Sequence, residues 1–145
     1  MHTSLYALPA SAKRLLSPAH LYQRVGVESQ VAQADPHRMV AMLFDGFMEA
    51  VAQARGALRA KQRDNKATAC SRAMAILEDG LRAGLDLRAG GSLARDLDEL
   101  YSYIAMRLTL ANLRDDEAAL DECQRLVLPL QQAWASIATD PAARR

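Results

Sequence analysis

From Val40 onward, apolar residues recur at steps of three and four: Val40, Leu43, Phe47, Val51, Ala54 and Leu58. That period stacks side chains on one face of an α-helix, not on alternate faces of a strand. Asp35-Pro36 supplies the start, an N-cap carboxylate followed by proline where a missing N–H costs nothing. The first long helix is expected to end near Gln62, with Asp64-Asn65 as its turn. A second begins at about Lys66, with Cys70, Met74, Leu77, Leu81 and Leu85 along one side, and Gly90-Gly91 stops it. Ser92 is placed to cap a third helix, whose buried line reads Leu93, Leu97, Leu100, Ile104, Leu108 and Ala111. After the turn Arg114-Asp115-Asp116, whose carboxylates suit a helix start, the fourth shows Leu120, Cys123, Val127, Leu130, Trp134 and Ile137. Pro129 falls inside it and is expected to kink its axis.

Four such helices joined by short connections predict an all-α fold, an antiparallel up-down four-helix bundle. Ahead of them the pattern fades. Residues 1–19 hold two prolines and no sustained period, and read as a flexible N-terminal arm. Residues 20–139 form the bundle domain in this reading. Its first part, to Ala34, is mixed: Leu21, Tyr22, Val25 and Val27 are apolar, and Gly26 interrupts any long helix.

Composition narrows the function. Half of the 145 residues are hydrophobic and 24% are charged, enough for a buried core. Eighteen Lys and Arg against seventeen Asp and Glu leave a formal charge of +1, which argues against nucleic acid or a polybasic membrane surface as partner. No apolar run approaches the roughly 20 residues that span a bilayer, and the N-terminus lacks the order of a secretory signal. Cys70 and Cys123 lie far apart and read as buried thiols in a reducing compartment.

Catalytic, metal and cofactor patterns are not found. His37 stands in a first helical turn without a Glu-x-x-His partner, and no phosphate-cradling glycine loop occurs. Asp45 and Glu49, four apart, read as a solvated pair. An alternative is a small all-α enzyme of the chorismate mutase kind, which would use Arg82, Arg88, Arg95 and Arg107 on a dianionic substrate; only Arg107 falls near an apolar line.

The first helix carries more apolar residues than one face needs. With Val40, Leu43 and Phe47 assigned to the core, Met39, Met42, Phe44 and Met48 remain on other sides. A wide core, cover by the N-terminal arm, or a groove for another polypeptide would each account for them. Gly80 and Gly84 on the second helix suggest a flat track where a bundle neighbour or a ligand approaches closely. On the groove reading, partner contacts fall chiefly on Met42 and Phe44, with Leu81, Leu85, Tyr101 and Leu108 as further candidates shared with the core. Tyr22 and Val25, with Val27, would cover the same groove when it is empty, or Tyr22 is a fixed part of the bundle core.

The stretch Tyr22-Gln23-Arg24-Val25-Gly26-Val27-Glu28-Ser29, followed by Asp35-Pro36-His37-Arg38-Met39-Val40-Ala41-Met42-Leu43-Phe44-Asp45-Gly46, resembles the start of the flagellin-specific export chaperones of the FliS family. Ala73 to Asp86 is similar to the family's second helix, and Leu100 to Ile104 with Leu110 to Asp116 to its third helix and turn. Phe44 stands where many members have tyrosine. The likeness spans about Tyr22 to Ile137. It implies a cytoplasmic chaperone of flagellar type III secretion that binds the disordered C-terminal region of flagellin. Such a chaperone prevents premature polymerisation and helps deliver flagellin to the export gate. It also implies that the N-terminal strip occupies part of the binding surface in the empty state. A second copy of the chain is another partner the apolar excess admits.

Overall fold

The computed structural model describes residues 35–138, and the arm and strip expected over residues 1–34, Tyr22 and Val25 included, lie outside them. Helix α1 spans Pro36–Arg59. The Asp35 carboxylate accepts the Arg38 amide at 2.7 Å, which satisfies one of the donors a helix start leaves open. The helix ends earlier than Gln62, in a turn closed by Gln62 N–H to Ala57 O and Lys61 N–H to Leu58 O. Lys61 takes the left-handed conformation there, at φ 58°. This is the Schellman arrangement with lysine where glycine is usual, which is why the sequence did not announce it.

Helix α2 therefore starts sooner than expected, at Arg63, and absorbs Asp64-Asn65 into its first turn. It runs to Ala75 and continues as a π-helical segment, Ile76–Arg82. Gly90-Gly91 does not stop it; the chain turns from Ala83 onward. The wider π turn brings two adjacent pairs inward, Ile76 with Leu77 and Gly80 with Leu81, all buried. Helix α3 spans Gly91–Arg114 with Gly90 at its N-cap. Ser92 is exposed inside its first turn and caps nothing, and Leu93 is exposed, not core. Asp115 adopts φ 53°, and Asp116 N–H bonds back to Ala111 O. The Asp116 carboxylate also accepts the Ala119 amide, so this residue closes α3 and caps α4. Helix α4 spans Glu117–Ala138 and runs through Pro129, which sits on an exposed side.

Polar contacts fix the directions. Along the α1–α4 seam Arg55 meets Asp121, Asp45 meets Gln131, and His37 meets Trp134, so the two helices run antiparallel. Lys66 with the Asn112 carbonyl and Arg82 with Asp98 set α2 and its π segment antiparallel to α3. Arg107 with Glu122 and the Cys123 thiol with the Ile104 carbonyl join α3 to α4. The described residues hold four helices in a closed ring and no strand, the all-α four-helix bundle that the periodicity predicts. Its core is centred on Phe47, Val51, Leu77, Leu81, Tyr101, Ile104, Leu108, Leu120 and Val127.

Candidate partner-binding surface

Helix α1 packs against α2, the π segment and α4 at once. Its buried face is correspondingly wide. Phe44 is 3% exposed and belongs to the core, so its expected place on an outer side is corrected. Met39, Met42 and Met48 are half-buried and lie against the same core. Leu81, Leu85, Tyr101 and Leu108 are buried as well. The wide-core reading thus accounts for most of the apolar excess on α1. Gly80 faces a bundle neighbour, since a Cβ there would stand 2.8 Å from Leu43 Cδ2. Gly84 is buried in the turn past the helix.

The open apolar surface is on α3. Tyr103, Met106 and Leu113 are exposed, Leu113 by 75%, and half-buried Leu110 completes a three-four-three spacing. These four residues share one outer face of the helix. The Tyr103 hydroxyl donates to Glu122 Oε2 at 2.7 Å, and Arg107 Nε donates to Oε1 at 2.6 Å. Tyr103 and then Arg107 hold the Glu122 carboxyl below its ordinary range, so the acceptor stays ionised and tethers the ring. The stripe was legible in principle: the core line through Ile104, Leu108 and Ala111 leaves Tyr103, Met106, Leu110 and Leu113 over. The same subtraction of core positions that leaves a surplus on α1 leaves this one on α3. Tyr101 and Tyr103, two apart, point to opposite sides, and it is the second that is exposed.

Further exposed apolar side chains are Leu87, Leu93, Leu128 and Ile137. Leu93 opens α3 and Ile137 closes α4, at the bundle end where α1 begins. There Trp134 Nε1 donates to the His37 carbonyl at 2.9 Å, and His37 Nε2 donates to the Trp134 carbonyl at 3.0 Å. The rings stack at 4.6 Å. His37 is thereby occupied in joining two helices.

The cationic residues do not converge. Arg82 is held by Asp98 and Glu78, and Arg107 by Glu122, while Arg88 and Arg95 are exposed. Asp45 and Glu49 are exposed, Asp45 accepting from Gln131. Both thiols are buried, and burial pushes Cys123 up to about 12, far from the pKa of a reactive thiolate. Among the described residues no cluster of His, Cys, Asp and Glu could hold a metal ion, and no helix is long and apolar enough to cross a membrane. Among the described residues, what stays open is the apolar stripe of α3, while the cationic side chains are paired or scattered.

The family described as flagellar protein FliS matches residues 18–141. A flagellar secretion chaperone FliSB of Pseudomonas aeruginosa is 42% identical over 116 residues, 80% of this chain and 91% of the relative. The flagellar secretion chaperone FliS of Salmonella typhimurium is 43% identical over 116 residues, 80% of this chain and 86% of its own. That of Escherichia coli is 36% identical over 121 residues, covering 83% and 89%.

Proposed function

Because the chain belongs to the FliS family of flagellar proteins, we propose that it is a flagellar secretion chaperone that holds the C-terminal segment of flagellin before export. Its relatives are named as chaperones, a non-enzymatic role, which sets aside the mutase alternative. The observation that carries the reading is the outer stripe of α3, Tyr103, Met106, Leu110 and Leu113, left open on a bundle whose core is already filled. An amphipathic helix laid along it buries apolar area on both partners and orders only when bound. The half-buried Met42 lies on α1, which packs against α2, the π segment and α4 and is diagonal to α3 in the ring, so it is not part of this stripe.

The strip bearing Tyr22 and Val25 precedes Asp35 in the chain, so it joins the bundle at the end where Leu93 and Ile137 are exposed. In this proposal the strip covers apolar surface in the empty chaperone and gives way to flagellin. A cytoplasmic location and hand-over at the export gate complete the reading. The test is titration of the purified chain with a flagellin C-terminal peptide, followed by calorimetry. Replacing Met106 and Leu113 together by serine is expected to weaken binding at least tenfold, with helical circular dichroism unchanged. Undiminished binding by that folded variant would place the groove elsewhere.

A further inference from the structure

At the bundle end opposite to His37 and Trp134, a cleft of about 390 Å³ opens between the α1–α2 turn and the α3–α4 turn. Ala57 and Leu58 line it with apolar surface; Lys61, Gln62, Arg63, Lys66 and Asp115 supply the rest. Three cations face one carboxylate. Lys66, only 4% exposed, is spoken for: its ammonium donates to the Asn112 carbonyl at 2.8 Å and to Asp115. That bond holds the Asp115 carboxyl below its ordinary range, so Lys66 and Asp115 neutralise each other. Arg63 approaches the other Asp115 oxygen only to 3.7 Å and is largely exposed. Lys61 makes no ion pair with any described residue. The cleft therefore keeps two cationic side chains in excess beside an apolar lining.

We propose that this cleft receives the C-terminal carboxylate of a partner polypeptide, with Lys61 and Arg63 binding the carboxylate and Leu58 and Ala57 packing against the terminal side chain. The volume suits two or three extended residues and not a helix about 10 Å across. A chain terminus presents a charge and an apolar side chain on one residue, matching the two kinds of surface here. The described bundle begins at Asp35 and ends at Ala138, both at the other end, about 33 Å away by the length of α4. The inference does not rest on the α3 stripe, and either can fail without the other.

The experiment is an NMR titration of the full ¹⁵N-labelled chain with four probes. These are N-acetyl-Ala-Leu-Leu as free acid, its C-terminal amide, N-acetyl-Ala-Glu-Leu amide and inorganic phosphate. The free acid is expected to shift the amides of residues 61–66 and 115 saturably, at least tenfold more tightly than the other three. Lys61→Gly, which relieves a left-handed lysine, is expected to fold normally and bind several-fold more weakly. Lys61→Gly with Arg63→Gln is expected to lose the effect. Equal binding of the amide, of the internal glutamate or of phosphate would overturn the proposal. So would retention by the folded double variant, or no saturable shift with the free acid.

Discussion

Leu43 occupies the space that a side chain at position 80 would need. A Cβ on Gly80 would lie 2.8 Å from Leu43 Cδ2 and 3.1 Å from Cδ1. Leu43 is itself buried, so it has no solvent to swing into. Gly80→Ala is therefore expected to destabilise the protein by about 1–3 kcal/mol, even though alanine is the better helix former by about 1 kcal/mol. Gly56 is the opposite case, exposed within α1, where an added methyl would meet nothing within 4 Å. Gly56→Ala is expected to stabilise by about 0.5–1 kcal/mol. Urea denaturation of the two variants measures both; a Gly80→Ala protein as stable as its parent would show that Leu43 repacks freely. The sequence pointed to close approach at Gly80 because a glycine in a helix needs a reason. It could not say that a leucine from α1 was the reason, since that depends on tertiary register.

At the level of elements, the apolar period was enough to find all four helices and most of their inward residues. Their ends were less legible. Lys61 and Asp115 close α1 and α3 in a left-handed conformation without glycine, whereas Gly90-Gly91, the strongest punctuation in the chain, lies beyond the end of the second helix. The π segment is a second departure. Ala83 N–H reaches back five residues to Glu78 O, and the longer turn re-phases the side chains after Ile76. A uniform 3.6-residue period carried past that point assigns Leu85 to a helix, whereas it is buried in the following turn. The candidate surface was legible only in part for a related reason. α1 touches three elements and buries its surplus, while α3 leaves its outer face open. Which surplus stays outside follows from the ring of contacts, and a single helix's pattern does not contain it.

Across the whole molecule, the helices are tied by carboxylates whose ionised form the fold favours. Lys66 holds down the Asp115 carboxyl; Arg59 and then Arg55 do so for Glu117; Arg125 and then Arg55 for Asp121; Tyr103 and then Arg107 for Glu122. Each folded-state pKa lies below its unfolded value, so the stabilisation is present above the ordinary carboxylate range. It is lost as pH falls through the folded values. The melting temperature is expected to stay nearly level from pH 7 to 5 and to drop below about pH 4. Added salt should blunt the difference, because these groups are only partly buried. A melting temperature that holds steady down to about pH 2 would assign these pairs no role in stability.

The His37–Trp134 seam has a kinetic consequence. Its two residues are 97 positions apart, whereas the other three seams join helices adjacent in sequence. Local pairings close short loops, but α4 can meet α1 only after most of the chain has been gathered in, at a larger entropic cost. The ring should therefore be completed after the folding barrier is crossed, and it should be the first contact to part on the way out. Trp134→Phe removes the indole N–H bond to the His37 carbonyl while keeping an aromatic ring. Stopped-flow circular dichroism is expected to show faster unfolding, by about fivefold for a loss near 1 kcal/mol, with the refolding rate almost unchanged. A slowed refolding limb would instead put the seam inside the nucleus.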